Sequence, residues 1–172
     1  VFDMVSDLVV NPPAPPRDMG VQNGSIVYVL KEWDEVEEAL QPLIEWRRRM
    51  GWTVEVIRVD NNANNQAIKD AIQEAYDEWD IPPEMVVICG DTDGTYPMAF
   101  WDHRVDGNYP YESDHDYVML DGDDVLPDAA IGRLVFNGID GGQARLDDIV
   151  NKIISYESDP YIGEGEEVGW QK

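Results

Sequence analysis

Four aspartates stand close together in the second half of this chain, at Asp121, Asp123, Asp124 and Asp128. Carboxylates at such short spacing repel one another, so the stretch is costly unless it is open to water or holds a cation. A hard cation such as Ca²⁺ suits carboxylates combined with backbone carbonyls. The stretch is not an EF-hand loop, because the alternating D-x-D-x-D-G order and the closing Glu are missing. A calcium-binding loop and a solvated acidic turn both remain open from the residues alone.

The second chemical candidate is the single cysteine, Cys89. A catalytic cysteine needs an accessible, electropositive setting with a histidine nearby. Cys89 instead ends the apolar run VVIC, and Asp91 and Asp93 follow it, so the sequence predicts a buried, structural thiol. Of the two histidines, His103 is predicted to be exposed, and His115 to balance charge beside two aspartates at a strand start. One Cys and two His without paired spacing do not make a tetrahedral ligand set for zinc, so the sequence argues against a zinc site.

Composition narrows the class of partner. Asp and Glu number 36 and Lys and Arg 12, giving a net charge of −24. Nucleic acid backbones and anionic membranes require basic patches, so we expect neither as a partner. The acidity favours solubility, cation binding, or a saline or extracellular setting. No run of 18 apolar residues predicts a membrane span, and a lone cysteine allows no internal disulfide.

The first half of the chain predicts alternating strands and helices. Apolar, β-branched runs indicate strands at residues 25–30, 53–59 and 85–89, the last buried on both faces and hence central. Helical periodicity indicates a helix at 66–79 and another that begins near 41, because a proline at 42 fits poorly inside a helix. This order with short links predicts an α/β fold, a three-layer parallel sheet with helices on both faces and right-handed crossovers.

The second half is less regular. A long loop is predicted at 91–111, leaving the carboxyl end of the third strand, where α/β sheets normally carry ligands. A strand at 116–120, the acidic turn at 121–128, an apolar run at 129–136 and a helix at about 144–156 follow. Residues 25–157 are therefore predicted to form one α/β subdomain.

Both ends of the chain differ in composition from this subdomain. Residues 1–24 form a leader with a proline-rich stretch, which indicates an interdomain linker, a pro-segment remnant, or an arm on the domain surface. Residues 158–172 form an acidic, glycine-containing tail.

Several short motifs follow one another along the chain in a recognisable order. They are Glu45-Trp46-Arg47 with Arg49-x-Gly51, then VVICGD at 86–91 with Pro97, Ser113-Asp114-x-x-Tyr117, Ile131-Gly132-Arg133 and Tyr156-Glu157. In this order they resemble the gingipain family of cysteine endopeptidases, family C25, over roughly residues 25–156. Each motif is weak alone, and their shared order and spacing carry the resemblance.

The resemblance implies a function for a larger protein. Gingipain-like enzymes pair two caspase-like subdomains, of which the second carries the catalytic His, in a His-Gly step, and the catalytic Cys. This chain resembles only the first subdomain and contains no His-Gly dipeptide, so we expect no catalytic residue in it. The resemblance also implies that the tail at 158–172 leads to the catalytic subdomain. The implied partners are that C-terminal catalytic subdomain of the same polypeptide and, for the full-length enzyme, protein or peptide substrates. The implied location is secreted or cell-surface, in a bacterium or archaeon.

The same resemblance implies a ligand set for calcium in the acidic stretch. The ligands would be the carbonyls of Asp121 and Leu126 and the carboxylates of Asp124 and Asp128. The family pattern has Glu at the last position, and Asp128 is one methylene shorter. Calcium is thus the expected cofactor, bound for structural reasons.

Two other classes of function compete with this interpretation. One is a stand-alone, peptidase-derived binding or adaptor module that uses the loop at 91–111 as its contact surface. The other is a receiver-like or flavodoxin-like domain. A receiver could use Asp91 but lacks a lysine at a later strand end, and a flavodoxin would need a phosphate-binding loop where residues 31–34 are acidic and lack glycine.

Overall fold

The structure is a computed structural model, and it describes residues 24–105, 109–139 and 145–158. The predicted leader and acidic tail lie outside these residues, apart from Gly24 and Ser158. Three α-helices are described: α1 (Asp34–Arg49), α2 (Asn65–Glu78) and α3 (Leu146–Ser158). The strands are β1 (Ser25–Lys31), β2 (Thr53–Val59), β3 (Met85–Cys89), β4 (Trp101–Val105), β5 (Tyr109–Ser113) and β6 (Ala130–Leu134). A 3-10 helix, His115–Val118, precedes the acidic stretch.

Four of the strands form one parallel sheet in the order β2-β1-β3-β6. Every residue of β1 is buried, because this strand has a neighbour on both edges and a helical layer on both faces. In β3, Val86 and Ile88 face one layer and Cys89 faces the other. The predicted parallel α/β sheet with a central third strand is confirmed.

Each face of the sheet carries its own apolar cluster. On one face, α2 and the 3-10 helix cover the sheet, with Ile68, Ile72 and Tyr117 fully buried. On the other face, α1 and α3 pack against the strands and against each other. Their buried contacts include Val36, Leu40, Leu43, Ile44, Leu146 and Val150. The alternation of β1 between the two clusters explains why its sequence is apolar from Ile26 to Leu30.

Helix α1 corrects one prediction. It begins at Asp34 and not near residue 41, and Pro42 lies inside it. A proline in a helix interior costs about 3 kcal/mol, because it removes one backbone hydrogen bond and crowds the preceding turn. Val36 and Leu40, both 0 % exposed, lie N-terminal to Pro42. Their burial against the sheet offsets that cost and keeps the first two turns helical.

The segment after β3 corrects two more predictions. The loop predicted at 91–111 contains β4 and the start of β5, which pair as an antiparallel two-stranded ribbon. The strand predicted at 116–120 is instead the 3-10 helix, which the Tyr117 amide closes by donating to the Asp114 carbonyl (3.1 Å). Tyr117 and Val118 are both buried although they are adjacent, a pattern that a half-buried strand cannot produce.

The last strand and helix follow the prediction closely. Strand β6 lies within the apolar run predicted at 129–136, and α3 begins and ends two residues later than predicted. No helix among the described residues is long and apolar enough to cross a membrane.

Candidate functional site

Arg133 on β6 is the centre of the polar contacts at the carboxyl edge of the sheet. Its side chain is 10 % exposed. The guanidinium donates to both carboxylate oxygens of Asp114, at 2.8 and 2.6 Å. It also donates to four backbone carbonyls, at 3.0 to 3.3 Å, those of Gly90, Asp91, Met98 and Ala99. One side chain therefore ties β6 to the end of β3, to the segment after it and to the end of the β4–β5 ribbon.

The segment after β3 folds back tightly over the sheet edge. Gly90 has φ +138°, and a Cβ there would lie 2.5 Å from the Tyr96 carbonyl oxygen and 2.7 Å from Met98 Cγ. The Asp91 amide donates to the Tyr96 carbonyl (3.1 Å), and the Met98 amide returns a bond to the Asp91 carbonyl (2.7 Å). Only glycine allows both this backbone conformation and this close approach.

Lys31, at the carboxyl end of β1, holds the same segment from the other side. Its ammonium donates to the Pro97 carbonyl at 2.7 Å and lies 5.7 Å from the Trp33 ring centre. Burial lowers the pKa of Lys31, partly opposed by Asp60. The rings of Trp33, Tyr96 and Phe136 pack in sequence beside it, at 5.2 and 5.4 Å between centroids. Packed side chains thus fill the edge above β1, where many α/β proteins bind ligands.

A small cavity remains at this edge next to β6. It has a volume of about 240 Å³. Its lining is Asp91, Thr92, Phe100, Glu112, Asp114, Arg133 and Val135. Because the guanidinium of Arg133 is already paired with Asp114, the other two carboxylates give the cavity an excess of negative charge.

The acidic stretch at 121–128 is exposed throughout, and it is ordered by its own aspartates. Asp128 Oδ2 accepts hydrogen bonds from the amides of Leu120 (2.7 Å) and Asp121 (2.8 Å). Asp124 Oδ1 accepts one from the Leu126 amide (2.8 Å). The bonds from Asp121 and Leu120 hold the pKa of Asp128 below its ordinary value, because they stabilise the ionised carboxylate.

The donor chemistry of this stretch fits the predicted calcium ligands. Asp124 and Asp128 each use one carboxylate oxygen within the loop and keep the other for a further contact. Asp121 and Leu126 add backbone carbonyls. No group of three or more His, Cys, Asp or Glu side chains is arranged to hold a metal in the part of the chain that the structure describes. Calcium binding at these four residues stays a prediction.

Cys89 is 0 % exposed and lies in the cluster beneath α1 and α3. Burial raises the pKa of its thiol, an effect that Arg133 only partly opposes. The prediction of a buried cysteine is confirmed. A thiol in this setting is protonated and unreactive.

The histidines make contacts that the sequence did not indicate. His103 Nε2 lies 2.7 Å from Asp116 Oδ2 and joins β4 to the 3-10 helix, although its side chain is 41 % exposed. His115 lies in the 3-10 helix rather than at a strand start, and its Nε2 lies 2.8 Å from the Val125 carbonyl oxygen. His115 therefore contacts the acidic stretch rather than only balancing its neighbours in sequence.

The end of α1 contacts the end of α3 through a second polar cluster. Arg47 donates to both carboxylate oxygens of Glu157, each at 2.7 Å, and Trp46 Nε1 donates to the same carboxylate at 2.7 Å. These side chains are about three-quarters buried, with Arg47 21 % and Glu157 26 % exposed. Residues from the first and last recognised motifs thus meet in space.

The parallel sheet in the order β2-β1-β3-β6, covered by helices on both faces, is a caspase-like α/β fold. Residues 21–172 match the model of peptidase family C25, and the chain belongs to that family. No curated protein matches the sequence.

Two solved structures share the fold. A crystal structure of the Arg-specific cysteine proteinase gingipain R is 19 % identical, with a TM-score of 0.60, and the match covers 83 % of this chain and 30 % of that one. A structure described as a protease is 22 % identical, with a TM-score of 0.61, covering 78 % of this chain and 28 % of that one. The chain therefore spans less than a third of either solved chain.

Proposed function

We propose that this chain is the N-terminal, non-catalytic subdomain of a secreted or cell-surface, gingipain-like cysteine endopeptidase. The observation that carries the proposal is the position of its thiol. Cys89 is buried on the face of the sheet covered by α1 and α3, whereas the 3-10 helix with His115 packs on the opposite face. His103 is paired with Asp116 of that helix. A cysteine peptidase needs an accessible thiolate within hydrogen-bond reach of a histidine.

The catalytic Cys and His would then come from a C-terminal subdomain of the same polypeptide. In the full-length enzyme that thiolate would attack a peptide carbonyl of a protein or peptide substrate, with the histidine as acid–base partner. The part played by this chain is to support that subdomain by packing. Two findings support this assignment of packing to one subdomain and catalysis to the other. The chain matches family C25, and it covers less than a third of the length of either solved chain.

The surface favours a docked subdomain over a free-standing adaptor, which we would expect to be hydrophilic on that surface. Helix α3 carries a groove of about 370 Å³ lined by Ile149, Lys152, Ile153, Tyr156 and Glu157. Tyr156 in this groove is 63 % exposed. Apolar side chains that share one groove are typical of a surface that another structural unit covers.

Calcium forms part of the proposal as a structural cofactor. Bound by the carbonyls of Asp121 and Leu126 and the carboxylates of Asp124 and Asp128, it would neutralise charge in the acidic stretch. Bound calcium would also make the acidic stretch more rigid. Because His115 contacts the Val125 carbonyl, the 3-10 helix would be held more firmly as well. Calcium would supply no chemistry to the reaction in this role.

The proposal is tested by comparing two proteins from the same gene. The 172-residue chain should cleave no peptide substrate. The product of the complete reading frame should cleave peptides and lose activity on thiol alkylation, while its Cys89→Ala variant retains activity. Cleavage by the 172-residue chain that disappears in Cys89→Ala would overturn the proposal, as would a complete product without peptidase activity.

A further inference from the structure

Among the described residues, β6 is an edge strand of the sheet, and the backbone groups on its outer side are unpaired. The Ala130 amide donates to the Glu84 carbonyl, and the Leu134 carbonyl accepts from the Gly90 amide, each at 2.9 Å. In a parallel ladder, one residue directs its N–H and C=O to the same neighbouring strand, and the next residue directs them away. Ile131, Arg133 and Val135 therefore point their backbone groups away from β3, and within the described residues these groups have no hydrogen-bond partner.

As far as the structure describes it, this edge carries no lysine, proline or bulge. Natural sheets protect their edges with lysine, proline, bulges or a covering element. Strand β6 has the sequence AIGRL and pairs with β3 in continuous register. The charge of Arg133 is turned inward to Asp114 and is not available to repel a second strand.

Chain topology excludes the next strand in sequence as the partner of this edge. Helix α1 connects β1 to β2 across one face of the sheet, and β2 lies on the side of β1 opposite to β3. Helix α3 follows β6 and packs against α1 on that same face. A right-handed crossover on that face joins a strand to another that lies further toward the β2 side of the sheet. A strand reached from β6 through α3 would therefore lie on the side of β6 away from its free edge. Because crossovers between parallel strands in one sheet are right-handed in about 98 % of cases, a strand that directly follows α3 does not fill this edge.

The neighbouring cavity indicates the chemistry of the segment that would pair here. Arg133 and Val135 both line the cavity at the carboxyl end of β6. Asp91 and Glu112 supply negative charge there beyond the Arg133–Asp114 pair. Strand addition takes its affinity from main-chain bonds and its specificity from pockets for alternate side chains. A second copy of this chain, with its charge of −24, would be repelled.

We propose that a strand from the catalytic subdomain, not consecutive with α3, pairs with the outer edge of β6 and places a basic side chain in the cavity beside Glu112. This inference rests on the proposed function, since it names the surface by which that subdomain is held. The pairing would extend the four-stranded sheet from one subdomain into the next and would fix their relative register.

Amide hydrogen exchange tests the pairing directly. We expect the amides of Ile131, Arg133 and Val135 to exchange at least ~100-fold more slowly in the full-length enzyme than in the 172-residue chain, because hydrogen bonding protects them. In the full-length enzyme, Val135→Pro should abolish protection of this edge, since proline has no N–H, and Val135→Thr should retain it. Glu112→Gln should weaken the protection if a basic side chain sits beside it. Melting of each variant as the 172-residue chain shows whether the subdomain itself still folds.

Each outcome bears on the inference separately from the proposed function. An active full-length peptidase whose β6 amides exchange as fast as in the 172-residue chain would overturn the inference and leave the function intact. Protection in the 172-residue chain that disappears on dilution would also overturn it, because a second copy would then occupy the edge. Protection that Glu112→Gln leaves unchanged would overturn the proposed placement of a basic side chain beside Glu112. Protected amides in a full-length protein without peptidase activity would support the pairing and overturn the function.

Discussion

The guanidinium of Arg133 and the carboxylate of Asp114 form a two-point ion pair, with Nε 2.8 Å from Oδ2 and Nη2 2.6 Å from Oδ1. The two side chains are 10 % and 20 % exposed. Pairs of this geometry are stronger than surface pairs, because both hydrogen bonds are charge-assisted and little water competes. Since Arg133 also satisfies four backbone carbonyls, the pair determines how the segments after β3 and β5 meet the sheet.

Replacing Arg133 by Met should lower the free energy of unfolding by about 3 kcal/mol, because Asp114 and the carbonyls around it lose their donor in a largely buried position. Arg133→Lys keeps the charge but not the planar fork, so we expect it to recover only part of that loss. Urea denaturation of the 172-residue chain measures both values.

Arg49 provides the matched control. It pairs with Glu45 at 3.6 Å on the surface of α1, with side chains 75 % and 61 % exposed. Arg49→Met should change the free energy of unfolding by less than about 0.5 kcal/mol. If Arg133→Met lowered the free energy of unfolding as little as Arg49→Met does, the contacts of Arg133 would not stabilise the fold.

Gly90→Ala should destabilise the chain by about 3 kcal/mol, since it combines a left-handed backbone conformation with a clash against the Tyr96 carbonyl oxygen. Gly132→Ala is the control, because open space surrounds that position and its φ is ordinary. We expect Gly132→Ala to be close to neutral. Thermal melting distinguishes the two, and equal midpoints would contradict the close approach at Gly90.

The elements that sequence predicted well are those whose own residues determine them. Strand β1 is apolar from Ile26 to Leu30, and β3 is apolar throughout. Helix α2 has a clear helical period, with Asn64 as an N-cap that accepts from the Ala67 amide at 2.9 Å. The elements that were missed depend on distant contacts. The β4–β5 ribbon has no apolar alternation, the first half of α1 is stabilised by burial against the sheet, and Tyr117 is placed by its bond to the Ala99 carbonyl at 2.8 Å.

The candidate site was predictable only in outline. The motifs that identify the family turn out to be tertiary contacts: Ile131-Gly132-Arg133 meets Asp114 and Gly90, and Trp46-Arg47 meets Glu157. The sequence identified these residues as members of motifs, but it did not predict the partner of Arg133. Asp114 is 19 residues away along the chain, and no local sequence pattern indicates a contact over that separation. A lone arginine inside an apolar strand was the available clue, since an isolated buried charge needs a partner.

The Cys89 thiol should react with a thiol reagent at pH 8 only as fast as the chain unfolds, because the side chain is fully buried. Burial raises its pKa in the folded state above the ordinary value of 9.0. Above that pH the unfolded state releases its proton first, so the contribution of Cys89 to stability falls as pH rises. Comparison with Cys89→Ala across pH 8 to 10 isolates this effect. Fast labelling of the folded chain would contradict the buried position.

Calcium should raise the melting temperature of the 172-residue chain, and a chelator should reverse the rise. At a free calcium concentration about 100 times Kd, binding to the folded state alone should shift the midpoint by about 5 to 10 °C. A net charge of −24 also attracts divalent ions without any specific site, so the shift alone does not identify the ligands.

Three aspartates in the same loop distinguish specific calcium binding from this general attraction. Asp128→Asn keeps a side-chain oxygen that can accept from the Leu120 and Asp121 amides, so the loop conformation should survive while the charge is lost. Asp123→Asn removes the same charge at a residue outside the predicted ligand set. We expect Asp128→Asn and Asp124→Asn to abolish most of the calcium-dependent shift and Asp123→Asn to preserve it. Equal shifts in all three variants would mean that calcium acts on the overall charge, and no shift in the unmodified chain would leave the acidic stretch as a solvated turn.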